Sequence, residues 1–197
     1  MASSPRVRLD PATRREQLLS LGVRLLATRP LEQLSIETLA EAAGISRGLL
    51  YHYFGSKVQF HEAVVRRAAD ELIEATSPPP GEDQLARLAY SMAAYLDYVV
   101  ENHEGYLSLV KGAASGNESL RAIYQESRAV LTDRLFTEDP DGLMLPDTPQ
   151  TRLVVHAWAA MVEGLVLQWA ERPAGVSRDE VLAILNGSLP ALIELAR

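Results

Sequence analysis

The stretch Ser35-Ile-Glu-Thr-Leu-Ala-Glu-Ala-Ala-Gly-Ile-Ser-Arg-Gly-Leu-Leu-Tyr-His-Tyr-Phe-Gly-Ser-Lys57 decides the fold. It contains two short helical runs, 35–43 and 46–53, on either side of Gly44-Ile45. Ser35 and Ser46 stand where an N-cap oxygen would accept a first-turn backbone N–H. Gly44 suits the left-handed conformation that ends a helix. Ala42, Ala43 and Gly44 let the two helices approach, and Leu39, Ala40, Ile45 and Leu50 supply a small shared core. Two helices joined by a tight Gly-containing turn form a helix-turn-helix. The second helix then projects Arg47, Gly48, Tyr51 and His52 outward, with its N-terminal end placed to enter a DNA major groove.

Helical periodicity continues on both sides. Residues 13–27 place Leu18, Leu21 and Leu25, with Leu19, Val23 and Leu26, on a wide apolar face. Thr13 with Glu16 has the pattern of a capping box, and Pro30 helps stop this helix. Gly55 breaks the motif, and Ser56 with Gln59 opens a helix expected over 56–75. Ser77-Pro78-Pro79-Pro80-Gly81 cannot be helix interior and forms a stiff connector. It divides the chain into 1–76 and 82–197.

Beyond it, helices are expected over 82–102, 106–114 and 118–136, followed by a loop over 137–147. Thr148-Pro149 reads as an N-cap followed by Pro at the first helical position, opening a helix to 171. Ser177 with Glu180 caps the last helix, which Pro190 is expected to kink. No run alternates at period 2. The fold class is all-α, with about nine helices.

Charge follows the same division. The whole chain carries −7, which alone argues against nucleic acid. Residues 1–67 sum to +4 and residues 68–197 to −11, so the motif sits in the basic part. The chain has no cysteine, which removes disulfides, thiol nucleophiles and cysteine-ligated metals. His52, His61, His103 and His156 show no H-x-x-x-H spacing, and no Gly-rich phosphate loop or G-x-S-x-G occurs. These observations imply a non-enzymatic protein with no metal and no cofactor. Residues 1–9 lack an apolar core, and no uncharged apolar run reaches about 18 residues. The expectation is a soluble cytoplasmic protein without a membrane partner.

The segment from Ser35 to Lys57 resembles the DNA-binding segment of TetR-family transcriptional regulators. The resemblance is carried by Gly44-Ile45-Ser46, Leu50-Tyr51-His52-Tyr53-Phe54 and Ser56-Lys57. It implies a three-helix DNA-binding domain over 1–76. An effector-binding and dimerisation domain would follow over 82–197. It also implies double-stranded operator DNA as a partner, read by Ser35, Thr38, Ser46, Arg47, Gly48, Tyr51, His52, Tyr53 and Lys57. Arg47 would reach a base edge, where Arg bidentate to guanine is the commonest specific contact. Gly48 would allow close backbone approach. Lys57 and the N-terminus of its helix would hold one phosphate together. Arg6, Arg8, Arg14 and Arg15 would touch flanking DNA. Two positions depart from the family pattern. Glu37 stands where some members carry a basic side chain, and Leu49 where many carry a hydroxyl.

For the second domain, the resemblance implies an unidentified small-molecule effector and a homodimer. Met92, Tyr95, Val99, Tyr106, Tyr124, His156 and Glu163 are the candidate ligand-binding residues. Arg152, His156 and Glu163 fall within about 40° of one another on an otherwise apolar helix. Such a stripe can orient a ligand, pair across a dimer seam or face solvent. Trp158, Met161, Leu165, Trp169, Leu185, Leu189 and Leu192 are the expected dimer residues, from two helices per subunit. The leading expectation is a repressor released from a palindromic operator by its effector. The alternative is a helix-turn-helix adaptor whose second domain binds a protein, or no ligand.

Overall fold

A computed structural model of the chain describes residues 10–137 and 145–196. Among these residues it has nine α-helices and no strand. They are α1 (Pro11–Leu26), α2 (Ile36–Ala43), α3 (Arg47–Phe54), α4 (Lys57–Ala75), α5 (Gln84–Glu101), α6 (His103–Ala114), α7 (Glu118–Thr137), α8 (Pro149–Glu171) and α9 (Arg178–Leu195).

Local sequence sets most of these boundaries. Ser35, Ser46 and Ser56 each accept a backbone N–H from the residue three further on. Gly44 ends α2 at φ 63° and ψ 37°, the left-handed region where a Cβ is strained. Ser177 and Glu180 form a full capping box on α9, and Thr148 and Thr151 another on α8.

Two helix starts differ from the sequence expectation. Helix α1 begins at Pro11, not at Thr13. The Asp10 carboxylate takes the N–H groups of Ala12 and Thr13, and Pro11 has a φ already suited to the first helical position. Glu16, free of that cap, reaches Arg67 on α4 at 3.5 Å. Helix α6 begins at His103, directly after α5 ends. Helix α9 continues through Pro190, which lies on its exposed side.

Two apolar cores form, and they interlock. The first joins Leu18 and Leu26 of α1, Leu39 of α2, Leu50 of α3 and Phe60 and Val64 of α4. Ile45 packs against it from the turn, and Phe54 stacks edge-on to Phe60 at 5.2 Å. Leu109 of α6 and Leu120 and Ile123 of α7 enter the same core. The second core is built from α5, α8 and α9, with Leu72 from the far end of α4. Helix α4 therefore passes from one core to the other.

Polar ties reinforce this coupling. Tyr98 donates to the carbonyl of Ala68 at 2.6 Å, fixing α5 to α4. Arg134 of α7 donates to the Ile73 carbonyl and to Thr76 Oγ1, holding the C-terminal end of α4. The Leu31 N–H donates to Ser108 Oγ at 3.1 Å, which joins the loop after α1 to α6. At Gly105 a Cβ would stand 2.9 Å from Leu26 Cγ and 3.2 Å from the Leu26 carbonyl oxygen. The glycine lets α6 sit directly on the end of α1.

Candidate nucleic-acid interface and interior cavity

The helix-turn-helix leaves one surface uncovered. Leu50 and Phe54 face the core, which turns Arg47, Gly48, Leu49, Tyr51 and His52 to solvent along α3. Tyr53 is half-buried against the first core. Lys57 is exposed at the first position of α4, where free backbone N–H groups and the helix dipole also favour an anion. Ser35 and Thr38 hydroxyls bond each other at 2.9 Å at the start of α2. Ser46 Oγ is held by the Leu49 N–H at 3.3 Å. The Ser46 hydroxyl and one of the Ser35–Thr38 pair keep a rotatable hydrogen near the surface that Arg47 and Lys57 define.

Glu37 belongs to this surface. Its carboxylate accepts from Arg47 across the α2–α3 corner at 3.4 Å. Bonding to its own backbone N–H, and then to Arg47, holds its pKa below the ordinary value. From sequence, Glu37 is a departure from the family pattern whose carboxylate would repel phosphate but could accept from cytosine. Its contact with Arg47, ten positions further on, comes from helix crossing and has no local pattern. Arg15, expected near flanking DNA, lies over the Phe54 ring at 5.4 Å, and Arg14 donates to Gln17. Arg6 and Arg8 lie outside the described residues.

A cavity of about 360 Å³ occupies the other half of the molecule. Its walls come from α1 (Val23, Leu26), α4 (Val65, Ala69, Leu72), α5, α6, α7, α8 and α9. Most of its surface is apolar, and one end is polar. There Glu163 of α8 accepts from Tyr106 of α6 and Tyr124 of α7, each at 3.0 Å. Tyr95 of α5 bonds the Tyr106 hydroxyl at 2.7 Å, with the two rings edge to face. Arg128 donates to Tyr124 at 2.7 Å and to the His156 carbonyl at 2.9 Å. Burial raises the pKa of all three phenols, so they stay protonated and donate.

Of the expected ligand residues, Met92, Tyr95, Tyr106, Tyr124 and Glu163 line this cavity. Val99 and His156 do not. Val99 is fully buried in the second core. His156 has an exposed side chain, and only its carbonyl meets the network. Arg152 is also outside, paired to Asp133 and Asp147 above the Phe136 ring. The three residues share a helix face, but that face meets different neighbours along its length. The Glu163 end meets α6 and α7 at the cavity, and the Arg152 end meets Asp133 and Phe136 of α7 outside it. Arg128, which the sequence reading did not select, completes the polar end.

The expected dimer residues divide as well. Trp158, Leu185 and Leu189 are buried within the protomer, in the second core. Trp158 donates its indole N–H to Ser188 of α9 at 2.9 Å. These three have no surface left to give a partner. Leu165, Trp169 and Leu192 are half-buried, and Met161 is exposed. Met161 lies on the open face of α8 together with Leu153, Ala157, Ala160 and Gly164. On α9 the open face is Ile184, Gly187, Ala191 and Leu195. Helix α8 is long and apolar enough to cross a membrane by length and composition, yet only 22% of its apolar window is buried.

A helix-turn-helix with a bare recognition surface, carried on an all-helical body with an internal cavity, defines a class of DNA-binding protein. Comparison with known proteins gives the family. The pattern described as "Bacterial regulatory proteins, tetR family" matches residues 18–64, and "Tetracyclin repressor-like, C-terminal domain" matches residues 85–189. The chain belongs to the TetR family, whose members are transcriptional regulators and not enzymes.

It is 26% identical over 185 residues to the HTH-type transcriptional regulator BetI of Vibrio atlanticus, covering 91% of each chain. It is 25% identical over 179 residues to the HTH-type transcriptional activator FasR of Mycolicibacterium smegmatis, covering 89% of this chain and 80% of that one. A TetR-family regulator of Streptomyces coelicolor superimposes with a TM-score of 0.84 at 29% identity. That match covers 95% of this chain and 83% of the other.

Proposed function

We propose that this regulator is a homodimeric repressor that a small-molecule effector releases from a palindromic operator. The observation that carries the effector part is the shared wall of the cavity. Helices α1 and α4 line it and also belong to the DNA-binding unit, which we assign to residues 1–76. A ligand there meets Leu26 of α1, against which Gly105 packs, and Leu72 of α4, next to the Ile73 carbonyl that Arg134 holds. Moving these contacts tilts α1 and α4, and with them α3. Effector binding then favours pairs of DNA-binding units whose spacing does not fit the operator. Melting shifts with candidate ligands, paired with operator binding by fluorescence anisotropy, test this. A ligand that raises the melting temperature and releases DNA is expected. Tight ligands that leave operator affinity unchanged contradict it. A relative named as an activator gives a second reading of the sign only. A promoter reporter with and without the regulator decides between the two.

On the DNA side, Arg47 and Tyr51 read bases. Ser35, Thr38, Ser46, His52, Tyr53 and Lys57 position the backbone. Gly48 supplies a specific check. A Cβ there would meet only Ser46 Oγ, at 4.0 Å, so nothing inside the protomer requires a glycine. Glycine in a helix costs about 0.5–1 kcal/mol relative to alanine. Gly48→Ala is therefore expected to raise urea stability by that amount while weakening operator binding. Unchanged operator binding would remove Gly48 from the interface.

Lys57→Ala is expected to weaken binding on all sequences alike and to flatten the salt dependence by about one unit of slope. An unchanged slope would contradict its phosphate role. The acidic remainder of the chain keeps the second domain off the duplex. This reading puts the protein with its DNA in the cytoplasm.

A further inference from the structure

The polar end of the cavity has a definite hydrogen-bonding sense. The single Tyr106 hydrogen goes to Glu163, so Tyr95 must donate to the Tyr106 oxygen. The Tyr124 hydrogen also goes to Glu163, and its oxygen accepts from Arg128. Every phenol hydrogen is thus spent inside the network. Among Glu163 and the three phenols, what remains are acceptors: carboxylate lone pairs on Glu163 and the oxygen of Tyr95. No Lys, Arg or His lies within ion-pair distance of Glu163 among the described residues. Tyr95, Tyr106 and Tyr124 surround it through the hydrogen-bond network. Aromatic faces attract cations, more strongly where water is excluded.

We propose that the effector carries a cationic, proton-donating nitrogen that seats on Glu163 within the tyrosine cluster, with an apolar body filling the rest of the cavity. This rests on the reading of the cavity as the effector site. The apolar walls formed by Leu72, Leu88 and Met92 take the body. The volume of about 360 Å³ fits a compact molecule at the lower end of ligand-sized pockets. One donor is left over: Arg128 Nε is buried without a partner. An anionic ligand would turn to it, and would meet Glu163 in doing so. The opposite class of ligand is therefore a direct competitor that the test includes.

The test uses the full-length protein and three probes of matched shape: 4-phenylbutylamine, 4-phenylbutan-1-ol and 4-phenylbutanoate, at pH 7.5. Binding is measured by calorimetry. The amine is expected to bind about tenfold or more tighter than the alcohol, with the carboxylate weakest. In Glu163→Gln, which keeps an oxygen for one tyrosine and offers an N–H donor to the other hydroxyl, the amine is expected to fall to the level of the alcohol. Glu163→Gln is checked for folding by its melting curve. The wild-type series decides independently if that variant does not fold.

Equal or tighter binding of the alcohol or the carboxylate to the wild type overturns the proposal. No amine binding at millimolar concentration overturns it too. Operator release is measured separately. Amine preference without release upholds the assignment of ligand chemistry and contradicts effector control. Release by a carboxylate alone does the reverse.

Discussion

Replacing Gly164 and Gly187 together by glutamate is expected to leave a folded monomer that no longer holds its operator. Both glycines lie on the open faces of α8 and α9, and a Cβ built at either meets nothing within 4 Å. The protomer therefore has room for both side chains. Glutamate is also a better helix former than glycine, by roughly 0.5–1 kcal/mol at each site. Intrinsic stability of the isolated protomer should not fall.

Across a dimer seam the outcome differs. Gly164 sits beside Ala160 and Met161, and Gly187 beside Ile184 and Ala191, so the two faces are apolar and lined by small residues. Four glutamates brought together there are desolvated beside like charges, which is strongly unfavourable. Two linked recognition units gain roughly 10²–10⁴ in apparent affinity over one, and losing the dimer removes that factor. Sedimentation equilibrium should report a monomer, and operator binding should weaken by that range. A double variant that stays dimeric would move the seam away from α8 and α9.

Arg47→Ala is expected to cost about 1–3 kcal/mol per half-site, and about twice that for the dimer on its operator. Specificity should relax at one base pair in each half-site. In the free protein the guanidinium is held by Glu37 at 3.4 Å, with both side chains well exposed. Such a pair adds little to stability. Its effect is to bring a donor and an acceptor to the same point of the recognition surface. Arg can take guanine, and a carboxylate can accept from the N4 amino group of cytosine. Competition binding against unrelated DNA checks the assignment. Equal losses on operator and unrelated DNA would reduce Arg47 to a positioning contact.

The DNA-binding unit was readable because its signals are local. Ser35, Gly44, Ser46 and Ser56 each act within three or four residues of themselves, so the order of residues determines helix ends and turn. The Asp10-Pro11 start was missed because Thr13 and Glu16 present the same local pattern two residues later. The cavity has no comparable signal. Tyr106 and Glu163 are 57 positions apart, and Tyr124 and Glu163 are 39 apart. Their meeting depends on how α6, α7 and α8 pack.

Three of the expected dimer residues, Trp158, Leu185 and Leu189, went into the protomer's own core for a different reason. Helix α8 is apolar on nearly all sides, so periodicity cannot separate the face that packs on α9 from the face left open. Trp158 and Gly164 then look alike as members of an apolar helix, although one is core and the other surface. His156 and Val99 show the limit of reading by residue type. A polar residue on an apolar helix and an apolar residue beside tyrosines each suggested a pocket, and packing put them on the exterior and in the core.

The central claim is that two copies of α3 read a palindrome through Arg47. The most direct measurement is selection of DNA from a random pool by the wild-type protein and by Arg47→Ala. The wild type should enrich an inverted repeat with a guanine at one fixed place in each half. Arg47→Ala should lose the preference at that place alone. Enrichment of no sequence, or of a single unpaired site that Arg47→Ala selects equally well, would contradict the account.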